Sequence, residues 1–336
     1  MDHHHLRSGV RLLDRGKGRI GAACASRAGE EKEAKEESMD ISYLDLPRNG
    51  GREILVWPVP YEGTASFATG TRNGPRAILQ ASQEIETWDE ELGVDLADTL
   101  CFRNLPFFRA PVSGPSGMQS EMRQVLAQHC DCGKEFLLTL GGEHSVALPP
   151  IQAYLERYPD LAVIQLDAHA DLRPEFQGSQ FSHACVMARL RDSGIPLVQI
   201  GIRSLCREES EYIRASSGTD ILPLFAHQLP PPAEAARRIR DFVGKRHVYI
   251  SFDADALDPS IMPGTGTPEP GGLAYEWVQS LWAHLLPGVR LVGLDFCELA
   301  PLPACGVASE SVAVQCINKI LSCAFCLEAG GSFRPA

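Results

Sequence analysis

From Ile54 onward the chain repeats one pattern: a short apolar run, a turn built from Gly, Pro, Asp or Asn, then a stretch with apolar residues three or four apart. This alternation of strand and helix periods predicts a parallel sheet flanked by helices. The runs Ile54 to Val59, Phe136 to Leu140, Ala162 to Leu166, Leu197 to Ile200, His247 to Phe252 and Arg290 to Leu294 are too apolar on both faces for a one-sided antiparallel sheet. Helices must therefore cover both faces, which gives a three-layer α/β/α fold with a central, mostly parallel sheet. One helix is predicted after Asn73, Gly74 and Pro75, with Ile78, Ala81, Ile85 and Trp88 as its core stripe. Another is predicted from near Ser309, packing Val312, Cys316, Ile320 and Cys323 on the sheet. No repeat or interdomain linker breaks the pattern, so residues 39–336 read as a single domain.

Residues 1–38 differ in kind. His3, His4 and His5 are followed by a basic stretch from Arg7 to Arg27 and a Glu, Lys and Ala-rich stretch from Glu30 to Glu37. Such composition predicts a disordered arm. The basic half invites a targeting reading, but there is no apolar h-region, and the acidic end does not suit an organelle transit peptide. The histidines read as solvated, and Met39 offers an alternative start. With 336 residues, 44% of them hydrophobic, the chain has ample material for a core. No run approaches the roughly 18 apolar residues of a membrane span, so no membrane partner is expected. The net charge of −12 argues against nucleic acid and mildly favours a cationic ligand. Eleven cysteines without a repeating frame indicate reduced thiols and a cytoplasmic or matrix-like compartment. Cys130 with Cys132, and Cys323 with Cys326, lack a second pair at zinc-site spacing and read as incidental.

The chemistry gathers where four predicted strands end, the edge at which open parallel sheets carry their sites. Phe136 to Leu140 runs into Gly141-Gly142-Glu143-His144-Ser145, and Ala162 to Leu166 into Asp167-Ala168-His169-Ala170-Asp171. His247 to Phe252 runs into Asp253-Ala254-Asp255, and Arg290 to Leu294 leads towards Glu298. In an extended chain Asp167, His169 and Asp171 share one side, with alanines on the other. Carboxylates converging this way repel one another by several kcal/mol at low effective dielectric, and a metal is the natural compensation. An oxygen-rich set with two imidazoles and no thiolate suits a divalent ion such as manganese better than structural zinc. Six ligands are too many for one ion that must also hold water. Two ions with bridging carboxylates account better for the count, and a hydroxide held between them would be a nucleophile near neutral pH.

At these residues the sequence resembles the ureohydrolases, the family of arginases and agmatinases, and most closely the agmatinases. The matching segments are GGEHS (Gly141 to Ser145), DAHADLR (Asp167 to Arg173), SHAC (Ser182 to Cys185) and SFDADALDPSIMPGTGTPEPGG (Ser251 to Gly272), with weaker agreement over Pro60 to Arg76. The likeness spans about Tyr43 to Ala324. It implies the arginase/deacetylase-like fold and two manganese ions per subunit, one held by His144, Asp167, Asp171 and Asp253, the other by Asp167, His169, Asp253 and Asp255. Asp167 and Asp253 would bridge, and the hydroxide between the ions would attack a guanidinium carbon. Asp171 would pass the proton to the leaving nitrogen, Glu298 would pair with the substrate guanidinium, and His183 would be a proton shuttle.

The implied reaction is hydrolysis of agmatine, a small cationic guanidine, to putrescine and urea in polyamine biosynthesis, by a cytoplasmic homo-oligomer of three or six subunits. Aminopropylagmatine and guanidinobutyrate are the alternative substrates. Glu143 stands where many members carry Asp, and Ala184 where many carry Gly. Residues 172–181 lack the Asn-bearing pattern with which arginases hold an α-carboxylate, which favours a decarboxylated guanidine. The Gly63 to Gly74 loop lacks the ending of a P-loop and reads as structural. Pro263 to Gly272 reads as a rigid loop that could wall the site. Two rival readings remain: a single-zinc amide hydrolase such as a deacetylase, and a non-catalytic homologue with an intact site.

Overall fold

The structure, a computed structural model, describes residues 41–46 and 51–327. The expectations for residues 1–38, namely the disordered arm, the targeting reading and the histidine cluster, lie outside the described residues, as does Met39.

Eight strands form one sheet: β1 (Arg52–Val59), β2 (Leu100–Asn104), β3 (Phe136–Gly141), β4 (Ala162–Leu166), β5 (Leu197–Ile200), β6 (Ile221–Leu224), β7 (His247–Asp253) and β8 (Arg290–Cys297). Their order is β2-β1-β3-β8-β7-β4-β5-β6, and every neighbouring pair is parallel. Successive side chains alternate between faces, so each strand feeds two cores. Ile54, Val56, Leu138, Ile164, Ile250 and Phe296 pack on one face with the helices Gly74–Ser82, Pro232–Val243, Tyr275–Leu285 and Ala308–Leu321. Leu55, Trp57, Leu137, Val163 and Tyr249 pack on the other with Gly114–His129, Leu148–Arg157, Val186–Asp192 and Arg207–Ser216. This is the three-layer arrangement that the doubly apolar strands require.

The six predicted strands are present, with ends shifted by up to three residues. The two edge strands escape the apolar criterion for a physical reason. β2 contains Arg103 and Asn104, and β6 contains Pro223, which a strand tolerates at an edge because one side of its backbone needs no partner. One helix expectation is corrected. The helix begins at Gly74 but stops at Ser82, whose hydroxyl donates to Leu79 O (2.8 Å) and diverts an acceptor of the helix ladder. Trp88, expected in the core stripe, instead lies on the short strand Trp88–Asp89 and is 53% exposed. The closing helix is as predicted except that Val312 is only half-buried, and Cys323 lies just past it in a π-turn, Ser322–Cys326.

The chain order places the chemistry. After running outward through β4, β5 and β6, the chain returns to insert β7 and β8 between β3 and β4. All four motif-bearing strands are thereby adjacent at the centre of the sheet, with Cys297 paired to Asp253 and Leu166 to Phe252.

Candidate metal centre

The backbone delivers these side chains through local features that an ordinary strand end lacks. At Gly142, a Cβ would lie 2.0 Å from Tyr61 O, so only glycine permits the approach by which Gly142 N–H donates to Val59 O (2.8 Å). Asp171 and Glu298 adopt φ of 53° and 63°, a region non-glycine residues seldom occupy, at about 1–3 kcal/mol each. Hydrogen bonds hold both. Asp171 O accepts from Ala188 N–H (3.0 Å), and Glu298 N–H donates to Gly142 O (2.8 Å). Two residues singled out by sequence for roles at the reacting centre are thus the two site residues with strained backbones.

The strand ends bring the predicted ligands together. His144, Asp167 and Asp253 form one cluster of donor atoms and Asp167, His169 and Asp255 a second, each within 4.8 Å. Asp167 belongs to both. Asp171 completes the first set, its Oδ2 lying 2.9 Å from His144 Nδ1. Asp253 joins the first set through Oδ2, whereas its Oδ1 accepts from Asp255 N–H (2.9 Å). Except for the half-buried His169, all six residues are buried.

Donor accounting at His144 tests whether a cation fits. The Asp295 carboxylate can only accept, so Ser251 Oγ donates to it (2.9 Å) and must accept from His144 Nε2–H (2.9 Å). That leaves the lone pair on Nδ1. Nδ1 is buried without a hydrogen-bond partner among the described residues, and it faces oxygens of Asp171, Asp167 and Asp253 at 2.9, 3.1 and 3.4 Å. A lone pair facing three carboxylates is repulsive unless a cation or a proton sits between them. Protons are the weaker remedy, and the titration shifts show the demand. Burial, then the charges of Asp255 and Asp167, push Asp253 well above the carboxylate range, and burial with the Asp167 charge pushes Asp171 to about 7. Burial pulls His169 down, but Asp167 and Asp255 more than offset it and push it to about 12. Four aspartates balance two divalent cations with both imidazoles neutral, so the donor set fits a metal pair.

Beside these ligands lies a cleft of about 210 Å³ walled by Ser66, His169, Asp171, Phe176, His183 and Thr267, among others. His183 therefore shares the cavity with Asp171. Burial lowers its pKa below that of a free imidazole. Glu298 is not among the walls. It is buried, with Oε1 accepting from His144 N–H (2.6 Å), and burial with the Glu143 charge raises it well above the usual range.

Several site residues were not singled out from sequence. Thr267 Oγ1 donates to Asp255 Oδ2 (2.9 Å), which makes the Pro263 to Gly272 loop a wall with a task. Arg203 ties that loop to the Asp253–Asp255 turn by donating to Glu269 O (2.6 Å) and Asp255 O (2.8 Å). Gln165 donates to Asp167 Oδ2 (2.7 Å). Gln165, Ser251 and Asp295 all left a trace in the sequence, being polar positions within otherwise apolar strands, where burial without a partner is costly.

The family model "Arginase family" matches residues 52–323. An N(1)-aminopropylagmatine ureohydrolase of Thermus thermophilus is 41% identical over 268 residues, covering 76% of this chain and 85% of the relative. An agmatinase of Bacillus anthracis is 33% identical over 257 residues, 74% and 84% respectively. Among solved structures, proclavaminate amidino hydrolase from Streptomyces clavuligerus superposes with a TM-score of 0.72 at 29% identity, covering 84% of this chain and 96% of that one. An arginase from Bacillus subtilis superposes with a TM-score of 0.69 at 25% identity, covering 80% and 98%.

Proposed function

The chain belongs to the arginase family, and from that premise we propose that it releases urea from a linear guanidine without an α-carboxylate, with N1-aminopropylagmatine as the first choice of substrate and agmatine as the second. The observation that carries this reading is the pair of Asp/His clusters sharing Asp167 at the centre of the sheet. His144, Asp167, Asp171 and Asp253 would hold one ion, and Asp167, His169, Asp253 and Asp255 the other. When bound, two divalent ions supply an activated water and neutralise charge developing on the substrate. The oxygen-rich donor set favours manganese.

The chain's own residues do the rest. Once four aspartates are balanced by two ions, Glu298 remains as a buried carboxylate hydrogen-bonded to the His144 backbone, and a flat guanidinium offers it paired donors that bind and orient the reacting carbon. Asp171, which lines the cleft, carries the proton towards the departing amine. His183 faces the same cleft and exchanges protons with solvent. Arg173 also lines the cleft, with Glu209 3.9 Å from its Nε partly offsetting its charge.

Two observations support placing the longer substrate first. Identity to the aminopropylagmatine enzyme is 41%, against 33% to the agmatinase. Glu269, partly exposed, lies 3.9 Å from His169 Nε2 beside the cleft, where it suits an added ammonium. Cytoplasmic location and a homo-oligomer of three or six subunits belong to the same reading; among the described residues no helix is long and apolar enough to cross a membrane.

The test is urea release by the manganese-loaded protein from N1-aminopropylagmatine, agmatine, 4-guanidinobutyrate and arginine side by side. The expected order of kcat/KM follows that sequence. No urea from any of them with metal bound would overturn the assignment.

A further inference from the structure

Glu143, one of the chain's departures from the commoner family pattern, is not a metal-side group. Its carboxylate is 1% exposed and takes four donors. Oε2 accepts from Gly63 N–H and Thr64 N–H, both at 2.6 Å. Oε1 accepts from Ser145 Oγ (2.5 Å) and Thr64 Oγ1 (2.7 Å). Thr64 in turn meets His183 twice: its Oγ1 accepts from the His183 backbone N–H (3.1 Å) and lies 3.0 Å from His183 Nδ1.

A hydroxyl has one proton and two lone pairs. The Thr64 proton goes to Glu143, because a carboxylate already gathering three other donors can only accept and a 2.7 Å oxygen pair without a proton would be repulsive. One Thr64 lone pair is taken by the His183 backbone. The other faces Nδ1, so this contact is a hydrogen bond only if Nδ1 carries the hydrogen. Ser182 Oγ lies farther from the same nitrogen, at 3.4 Å. Nε2 is left with its lone pair, 3.3 Å from the exposed hydroxyl of Ser66, which lines the cleft. The ring of Phe176 stands edge-on to the imidazole with centroids 5.8 Å apart.

We infer that Thr64 and Glu143 are positioning residues which fix His183 as the Nδ1–H tautomer and aim the Nε2 lone pair into the cleft. The tautomer follows from the hydrogen-bond chain alone. Its consequence for turnover rests on the ureohydrolase reading, in which Nε2 is the atom that takes up and returns a proton. The chain runs from carboxylate to hydroxyl to imidazole across 119 residues of sequence.

Two measurements test it on the full-length protein. The first is 15N NMR of histidine-labelled protein free of paramagnetic metal, with the His183 signals assigned by their loss in His183→Gln. Wild type and Thr64→Ser are expected to show a protonated Nδ1 and an unprotonated Nε2; Thr64→Val is expected to show a mixture or the other tautomer. The second is steady-state urea release with manganese. Thr64→Val is expected to lower kcat by roughly one to two orders of magnitude with little change in KM, and Thr64→Ser to recover most of it. A wild-type ring protonated at Nε2, a tautomer indifferent to Thr64→Val, or failure of Thr64→Ser to differ from Thr64→Val would overturn the inference. If the wild-type ring is Nδ1–H and responds to Thr64→Val while no guanidine yields urea, the positioning stands and the substrate assignment falls.

Discussion

Asp167, Asp171, Asp253 and Asp255 gather four negative charges around two imidazoles, and among the described residues no Lys or Arg side chain pairs with these carboxylates. Across the same cleft region, Glu143, Thr64 and His183 form a chain in which each hydrogen has an acceptor. The two parts of the site bury comparable polar chemistry in opposite states. At an effective dielectric near 20, two unit charges about 4 Å apart repel by about 4 kcal/mol. A cluster of four is therefore a large fraction of the 5–15 kcal/mol by which a domain is typically stable. The first part is complete only with cations, whereas the second is complete as the chain folds. Binding and activation belong to the unsatisfied part, and aim and tautomer to the satisfied one.

The largest effect that would break this division is expected at Asp253. Asp253→Ala removes an oxygen from the His144 cluster and the acceptor of Asp255 N–H together. Urea release should fall by about three orders of magnitude or more, since several kcal/mol of charge stabilisation are lost and each 1.36 kcal/mol is tenfold. Bound metal measured by elemental analysis should fall below two ions per subunit. Retention of both ions with full activity would show that the carboxylates are not the cation site.

Thermal unfolding gives a smaller but more discriminating effect. A ligand at 100 times its Kd stabilises the folded state by about 2.7 kcal/mol, and for a domain of nearly 300 residues each kcal/mol shifts Tm by roughly 1.5–2 °C. Chelation should therefore lower the wild-type Tm by about 4–5 °C for each site emptied. Asp253→Ala should reverse its rank: less stable than wild type in manganese, but equal or more stable in chelator, because it deletes one of four repelling carboxylates. Thr64→Val should keep the full chelator response. A drop common to all three proteins would remove the distinction between the two parts.

The same division explains what could be read from the sequence. Asp167, His169 and Asp171 lie at alternate positions directly after an apolar run, as do Asp253 and Asp255, which makes them legible as sets, but the extended chain expected there is not what gathers them: Asp171 turns at φ 53° and Asp255 lies in the 3-10 turn Ala254–Ala256. The six central or near-central strands were legible because they are apolar on both faces. β2 and β6 were not, since an edge strand can carry Arg103 or Pro223 without penalty. The Thr64–Glu143–His183 chain was equally hidden. Each member is an ordinary residue in its own segment, and the loop holding Thr64 carries no motif with chemistry of its own. Only the tertiary approach at Gly142, which brings Tyr61 and its neighbours against the β3 turn, creates the contact. Trp88 was misplaced for a related reason: helical spacing continued past Ser82, but the side chain that ends the helix acts locally, below the resolution of periodicity.

The smallest expected effect sharpens the comparison within a single loop. Ser66 is two residues from Thr64 and contacts the other nitrogen of His183, but it is exposed, its 3.3 Å contact is long, and no carboxylate holds it. A substrate or water proton reaching Nε2 would take over the place of its hydroxyl. An exposed neutral hydrogen bond contributes about 0.5–1.5 kcal/mol net, and one that is displaced during turnover contributes less to the rate. Ser66→Ala should change kcat by less than about threefold and leave the Nδ1–H tautomer of His183 in place, against the much larger loss expected of Thr64→Val. Equal losses at the two positions would mean that the loop acts through its shape, and the directed chain from Glu143 would lose its explanatory role.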